Sequence, residues 1–214
     1  MTQRRSFLAR FGAAAAAISL GASHANAQTP SAADGRWQPA RDAKDDWFDR
    51  IPGKHRLFLD TLTAHGLSEA QGFANNYFAA SKSGYGLEAS DLAVVICLRH
   101  MATPFAFSDT IWAKYGAALG ESIKFNDPTT GQPPVVNVYK ARLEGLVTRG
   151  VHFAVCDVAS HHFAGVIART VDGNADAIYK EMTGNAVGNV HFVAAGIIAV
   201  NRAQERGYAA SCAG

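Results

Sequence analysis

Residues Leu92-Ala93-Val94-Val95-Ile96-Cys97-Leu98 form an unbroken apolar run directly after Asp91. A strand with one wet face alternates apolar and polar residues. A strand without alternation must be covered on both faces, the situation of an inner strand in a parallel sheet with helices on either side. The flanking sequence fits that demand. Further strands are predicted at residues 56–62, 151–155, 190–194 and 208–212. Helices are predicted between them: from the capping box Ser68-Glu69-Ala70-Gln71 to about residue 80, a short one capped by Ser108-Asp109, and one from Asn137 to Arg149. Three more follow, over 161–169, 174–182 and 196–206. Strands alternating with helices predict an α/β, doubly wound, parallel sheet in a single domain.

The amino-terminal segment has a different logic. Arg4-Arg5-Ser6-Phe7-Leu8 is followed by a mild apolar stretch, 11–22, and by the small-x-small site Ala25-Asn26-Ala27. This is the pattern of a bacterial twin-arginine export signal, which predicts a periplasmic protein. The stretch is shorter than the roughly 20 residues that span a bilayer, and no cysteine follows the cleavage site, so no stable membrane anchor is expected. The expected organisation is a signal at 1–27, a polar arm or linker at 28–53, and the α/β domain at 54–214. Trp37, Trp47 and Phe48 are candidate docking points within the arm. The whole chain carries 20 basic and 18 acidic residues. Loss of Arg4, Arg5 and Arg10 with the signal would leave 17 against 18, and with them goes the main support for a nucleic-acid partner.

Three cysteines remain in a compartment that oxidises thiols: Cys97, Cys156 and Cys212. An odd number leaves at least one free or paired with another molecule. No Cys-x-x-Cys and no haem attachment motif occurs, and no cofactor is expected.

The segment Arg149-Gly150-Val151-His152-Phe153-Ala154-Val155-Cys156-Asp157-Val158-Ala159 runs from a helix stop through a strand to a cysteine at its carboxyl end. It resembles the cysteine-bearing segment of the DsrE/DsrF-like sulfur-relay family. The apolar strand ending at Arg99 resembles that family's second strand. Residues 193–200, with Arg202, Gln204 and Gly207, resemble its closing strand–helix unit. The resemblance covers roughly residues 54–210. It implies a five-stranded parallel sheet of order 2-1-3-4-5, assembly into trimers or hexamers, a protein that donates or accepts sulfur, and a persulfide-carrying cysteine at Cys156. Two features depart from the pattern: the relay branch is cytoplasmic, and Asp157 places a carboxylate directly after the cysteine.

Sulfur transfer needs a thiolate. A helix beginning near Ser160 would offer backbone N–H groups that favour an anion, and His161 and His162 could assist. The opposing reading makes Cys156 a small buried hydrophobe. The site is then a binding module for a small ligand or a partner peptide. In the implied strand order the crevice opens between the first and third strands. That order puts Asp60, Thr61 and Thr63 nearer to Cys156 than Arg99 and His100, which would reach it only if residues 101–108 folded over. That segment, with Pro104, Phe105 and Phe107, would be an apolar lid or a subunit interface. Cys97, inside the apolar strand, is expected to pack; Cys212 is expected near the chain end. Cys156 with His161 and His162 is the nucleus of a third reading, copper or zinc binding, but its spacing is not a recognised ligand pattern. His152 and His191 each follow a valine at a strand start. They are expected side by side at the amino end of the sheet, away from Cys156.

Overall fold

The structure, a computed structural model, describes residues 38–214. The twin-arginine segment, its cleavage site and Trp37 lie outside them. In chain order the elements are α1 (Trp47–Arg50), β1 (His55–Thr61), α2 (Ala64–Tyr85), β2 (Leu92–Leu98), a 3-10 segment (His100–Ala106), α3 (Asp109–Ile123) and α4 (Lys140–Thr148). They continue with β3 (His152–Cys156), α5 (Asp157–Val171), α6 (Ala175–Gly184), β4 (Val190–Val193), α7 (Gly196–Glu205) and β5 (Ala209–Ala213). The five predicted strands are all present, and every pair is parallel.

The strand order is β4-β3-β2-β1-β5, not the 2-1-3-4-5 that the family resemblance implied. From β1 to β4 each crossover moves one strand in the same direction. Crossovers between parallel strands are right-handed, so their helices, α2 to α6, share one face of the sheet. The β4-to-β5 connection runs back past the whole sheet, and the same rule sends α7 to the opposite face. The two faces therefore have separate cores. Leu59, Val94, Ile96, Leu98, Phe153 and Val155 pack under α2 to α6. Phe58, Ala93, Val95, Cys97, Ala154 and Val193 pack under α7 and α1. Every residue of β2 is buried, as its lack of alternation required.

Several local signals act differently from the sequence expectation. Helix α2 starts five residues before the capping box, because Thr63 Oγ1 accepts from the Gly66 N–H at 2.9 Å. Asn137 is not the cap of α4. Its Nδ2 donates to the Phe105 and Phe107 carbonyls at 2.8 and 2.9 Å, bracing the segment after β2. That segment is neither lid nor interface: Phe105 and Phe107 are fully buried, and Phe105 stacks with Trp112.

The domain also begins earlier than residue 54. Trp47, Phe48 and Ile51 are buried, and Phe48 lies against Phe58 and Tyr208. Tyr208 Oη donates to the Phe48 carbonyl at 2.9 Å. Arg206, 3% exposed at its side chain, pairs with Asp46 and Asp49 and donates to the Asp42 carbonyl. Residues 42–51 thus cover the α7 face of β1 and are part of the fold. Truncating Phe48 to Ala should cost about 3–5 kcal/mol, the range for a fully buried aromatic. Denaturant unfolding checks this: a loss below about 1 kcal/mol would mean that the arm is only loosely attached.

His152 and His191 meet as expected, with Nδ1 and Nε2 2.9 Å apart. Trp47 stacks on the His191 ring at 3.9 Å, so the pair also seats the arm. Burial, then the neighbouring His152 and Arg50, push the His191 pKa down from 6.5 to about 4, and burial lowers that of His152. The folded state therefore resists a proton that the unfolded chain accepts. The stability this neutral pair confers is complete above about pH 6.5 and is lost as pH falls towards 4. His191→Phe keeps a ring for Trp47 but removes this titration. Its melting temperature should fall less than the wild type's between pH 7 and pH 5; parallel profiles would contradict the assignment.

Candidate functional site

In an open parallel sheet, the crevice forms where the connections leaving two neighbouring strands diverge to opposite faces. Here the chain leaves β3 into α5 on one face and leaves β4 into α7 on the other. The crevice therefore lies between β3 and β4, not beside β1 as the implied order had it. A cavity of about 420 Å³ sits there. Cys156, Val158, Ala159, His162 and Phe163 line it from the β3–α5 side, Ala195, Gly196 and Ile197 from the β4–α7 side, and Arg99, His100 and Met101 from the end of β2.

Cys156 is the last residue of β3 and the N-cap of α5, with no side-chain capping bond. It is 7% exposed and is a free thiol. Its carbonyl accepts from Ser160 Oγ at 3.0 Å, which fixes the strand-to-helix turn. The first-turn amides of α5 have no side-chain partner, the Cys156 sulfur included.

Because β2 adjoins β3, Arg99 and His100 line the same cavity as Cys156. Asp60, Thr61 and Thr63, expected to be nearer, do not line it. Thr61 Oγ1 donates to the Cys97 carbonyl at 2.6 Å, and Thr63 caps α2. Asp60 stands behind the cavity wall. Its two oxygens accept from Arg99 Nε and Nη2, both at 2.7 Å. This paired carboxylate, largest among the causes, holds the Arg99 pKa above its ordinary value. Arg99 is also pressed against α7: a Cβ on Gly196 would lie 2.4 Å from Arg99 Cβ and 2.6 Å from Cδ. Glycine at the first position of α7 is thus what lets the arginine stem pass.

His100 lines the cavity in a left-handed backbone conformation, φ 54°, uncommon for a residue with a Cβ. His162 also lines it. Asp157 and His161 do not. The Tyr179 hydroxyl donates to Asp157 at 2.5 Å, and His161 stacks on the Tyr179 ring at 3.8 Å. Burial, and then that bond to Asp157, push the Tyr179 pKa to about 12. The carboxylate that follows the cysteine is therefore held by α6 rather than by the sulfur.

Register puts all three cysteines on the α7 face. Cys212 pairs with Asp60, Asp60 with Cys97, and Cys97 with Ala154, two residues before Cys156. Cys97 and Cys156 are thus on adjacent strands, offset diagonally. All three thiols are free nonetheless; a two-residue diagonal offset is roughly 7–8 Å between Cα atoms, at or beyond disulfide reach. Cys97 is fully buried with Sγ 3.9 Å from the Gly196 carbonyl oxygen, and burial, then the Asp60 charge, push its pKa well up. It is a neutral packing thiol, as expected from its strand. Among the described residues, no group of three or more His, Cys, Asp or Glu is placed to hold a metal ion.

The part the sequence did not reveal is the wall made by Ala195, Gly196 and Ile197. Its signal was present in the glycine that opens α7, but nothing local says which strand end that glycine faces. No family model matches the chain, and no curated protein matches it. Among solved structures it is similar to a protein of unknown function from Methanobacterium thermoautotrophicum, at 14% identity over 74% of this chain and 99% of that one, with a TM-score of 0.43.

The Asp60–Arg99 pair should be structural as well as local. Asp60→Ala leaves a partly buried guanidinium without its partner and should cost about 1.5–3 kcal/mol, the worth of hydrogen bonds to a charged group. The pair Asp60→Asn with Arg99→Gln keeps neutral hydrogen-bonding groups in both places and should recover most of that loss. A double variant no more stable than Asp60→Ala, measured by chemical unfolding, would contradict this account of the pair.

Proposed function

We propose that this chain is an exported, DsrE/DsrF-like sulfur carrier that holds a persulfide on Cys156 and passes it to or from a partner protein. The observation that carries this reading is the place of Cys156: a free thiol lining the crevice, at the N-cap position of a 15-residue helix whose first-turn amides have no side-chain partner. Nucleophilic cysteines commonly stand at helix N-termini. The neighbouring carboxylate, Asp157, accepts a hydrogen bond from Tyr179 and does not line the cavity. Exposed Val158 and Ile197 border the cavity and offer an apolar surface to a partner or to a second copy in the expected homo-oligomer. A periplasmic location belongs to the same proposal and rests on the twin-arginine sequence alone.

A second reading has a specific observation in its favour. The cavity is mostly apolar and Cys156 is only 7% exposed, which suits a binding module with an inert thiol. The two separate cleanly by intact mass. Incubation with a low-molecular-weight persulfide should add one sulfur, about 32 Da, to the wild type and to Cys212→Ser but not to Cys156→Ser. Equal loading of Cys156→Ser, or no loading of any form, would leave the binding-module reading in place.

A further inference from the structure

We propose that the cavity beside Cys156 binds a thiosulfate-class oxoanion, with the free edge of the Arg99 guanidinium as its anchor. The charge of the lining points to an anion. It contains one arginine and two histidines, Arg99, His100 and His162, and no carboxylate among its residues. Two acids beside lining residues are engaged elsewhere, Asp60 by Arg99 and Asp157 by Tyr179.

Arg99 is held as an anion-binding group would need to be. A guanidinium has five N–H donors in a rigid fork. Asp60 engages Nε and Nη2, and among the described residues nothing bonds Nη1. The carboxylate therefore fixes the plane of the fork from one side and leaves a second edge available. The absence of a side chain on Gly196 lays the arginine stem along the start of α7. Ala195, the N-cap of that 10-residue helix, has no side chain able to cap its amides. An oxoanion beside Arg99 would thus meet a fixed cation and unengaged N–H groups together.

The transfer step, which rests on the carrier reading of Cys156, balances without an outside oxidant or reductant. The Cys156 thiolate attacks the terminal sulfur of thiosulfate. A new S–S bond forms at Cys156, the S–S bond of thiosulfate breaks, and sulfite leaves with the bonding electron pair. Three negative charges enter and three leave, one on the persulfide and two on sulfite. Arg99 would bind the SO3 group in both substrate and product, which makes it a binding residue; Asp60 acts through it as a positioning residue.

Calorimetric titration of the full mature chain carrying Cys156→Ser tests the site apart from the chemistry. Thiosulfate should bind saturably and be displaced by sulfite. Adding Asp60→Asn with Arg99→Gln should weaken binding about tenfold or more, the worth of one or two hydrogen bonds to a charged group, with the melting temperature largely kept. If that variant does not fold, amide shifts of Arg99, Gly196 and Ile197 in the Cys156→Ser chain on adding thiosulfate supply the same answer. Absence of saturable binding, binding unaffected by the double replacement in a folded chain, or shifts elsewhere would overturn the site. The carrier reading fails separately. If Cys156 loads from a persulfide donor while thiosulfate does not bind, the carrier stands and this proposal falls. If Cys156→Ser binds thiosulfate while the wild type gains sulfur neither from thiosulfate nor from a persulfide donor, the site stands and the carrier falls.

Discussion

Five parallel strands with no hairpin between them leave the chain one way to connect, a crossover whose hand is fixed by the twist of strand and helix. The site depends on that constraint. While the chain advances from β1 to β4 the hand keeps every connecting helix on one face. When it must reach the far side of β1 to form β5, the same hand puts α7 on the other face. The chain leaves β3 and β4 in opposite directions, and the gap between those exits is the cavity beside Cys156. The same reversal leaves the α7 face only partly covered by helix. The arm, through Trp47, Phe48 and Ile51, completes it.

The Asp60–Arg99 pair turns that gap into a chemically biased one. It ties β1 to the end of β2 and holds a guanidinium beside the start of α7. One carboxylate is thereby kept behind the wall, while Tyr179 holds the other away. The polar side chains that line the cavity are a thiol at a helix start, two imidazoles, the Ser122 hydroxyl and a cation. Cys97, one strand over from Cys156, contributes packing rather than charge: it is fully buried and its pKa is pushed up.

Much of this was legible in the residues. The unalternated run 92–98 required a strand covered on both faces, and β2 is buried throughout. The valine–histidine starts of two strands placed His152 beside His191, and they are in contact. Cys156 falls at a strand end before a helix, although α5 starts at Asp157 rather than near Ser160. The strand order was not legible, because each crossover obeys the same local rule whichever neighbour it reaches. With the order went the neighbours of Cys156: Arg99 and His100 replace Asp60, Thr61 and Thr63 in the cavity. The arm was legible in part: Trp47 and Phe48 were candidate docking points and are buried, but the polar residues around them hid Ile51 and put the domain boundary at residue 54, and the partners of Phe48, Phe58 and Tyr208, lie far apart in the sequence. The capping box Ser68–Gln71 misled for a related reason. Thr63 offers an earlier cap, and only the geometry of the turn decides between them.

The central proposal is that Cys156, 7% exposed on the wall of the cavity, is a reactive thiol rather than a piece of the core. Site-resolved alkylation by iodoacetamide under native conditions, read by peptide mass spectrometry across a pH series, tests it most directly. The account predicts that Cys156 labels in the folded chain, while Cys97 labels only on unfolding. Cys156 protected to the same degree as Cys97, and released only when the chain unfolds, would contradict it.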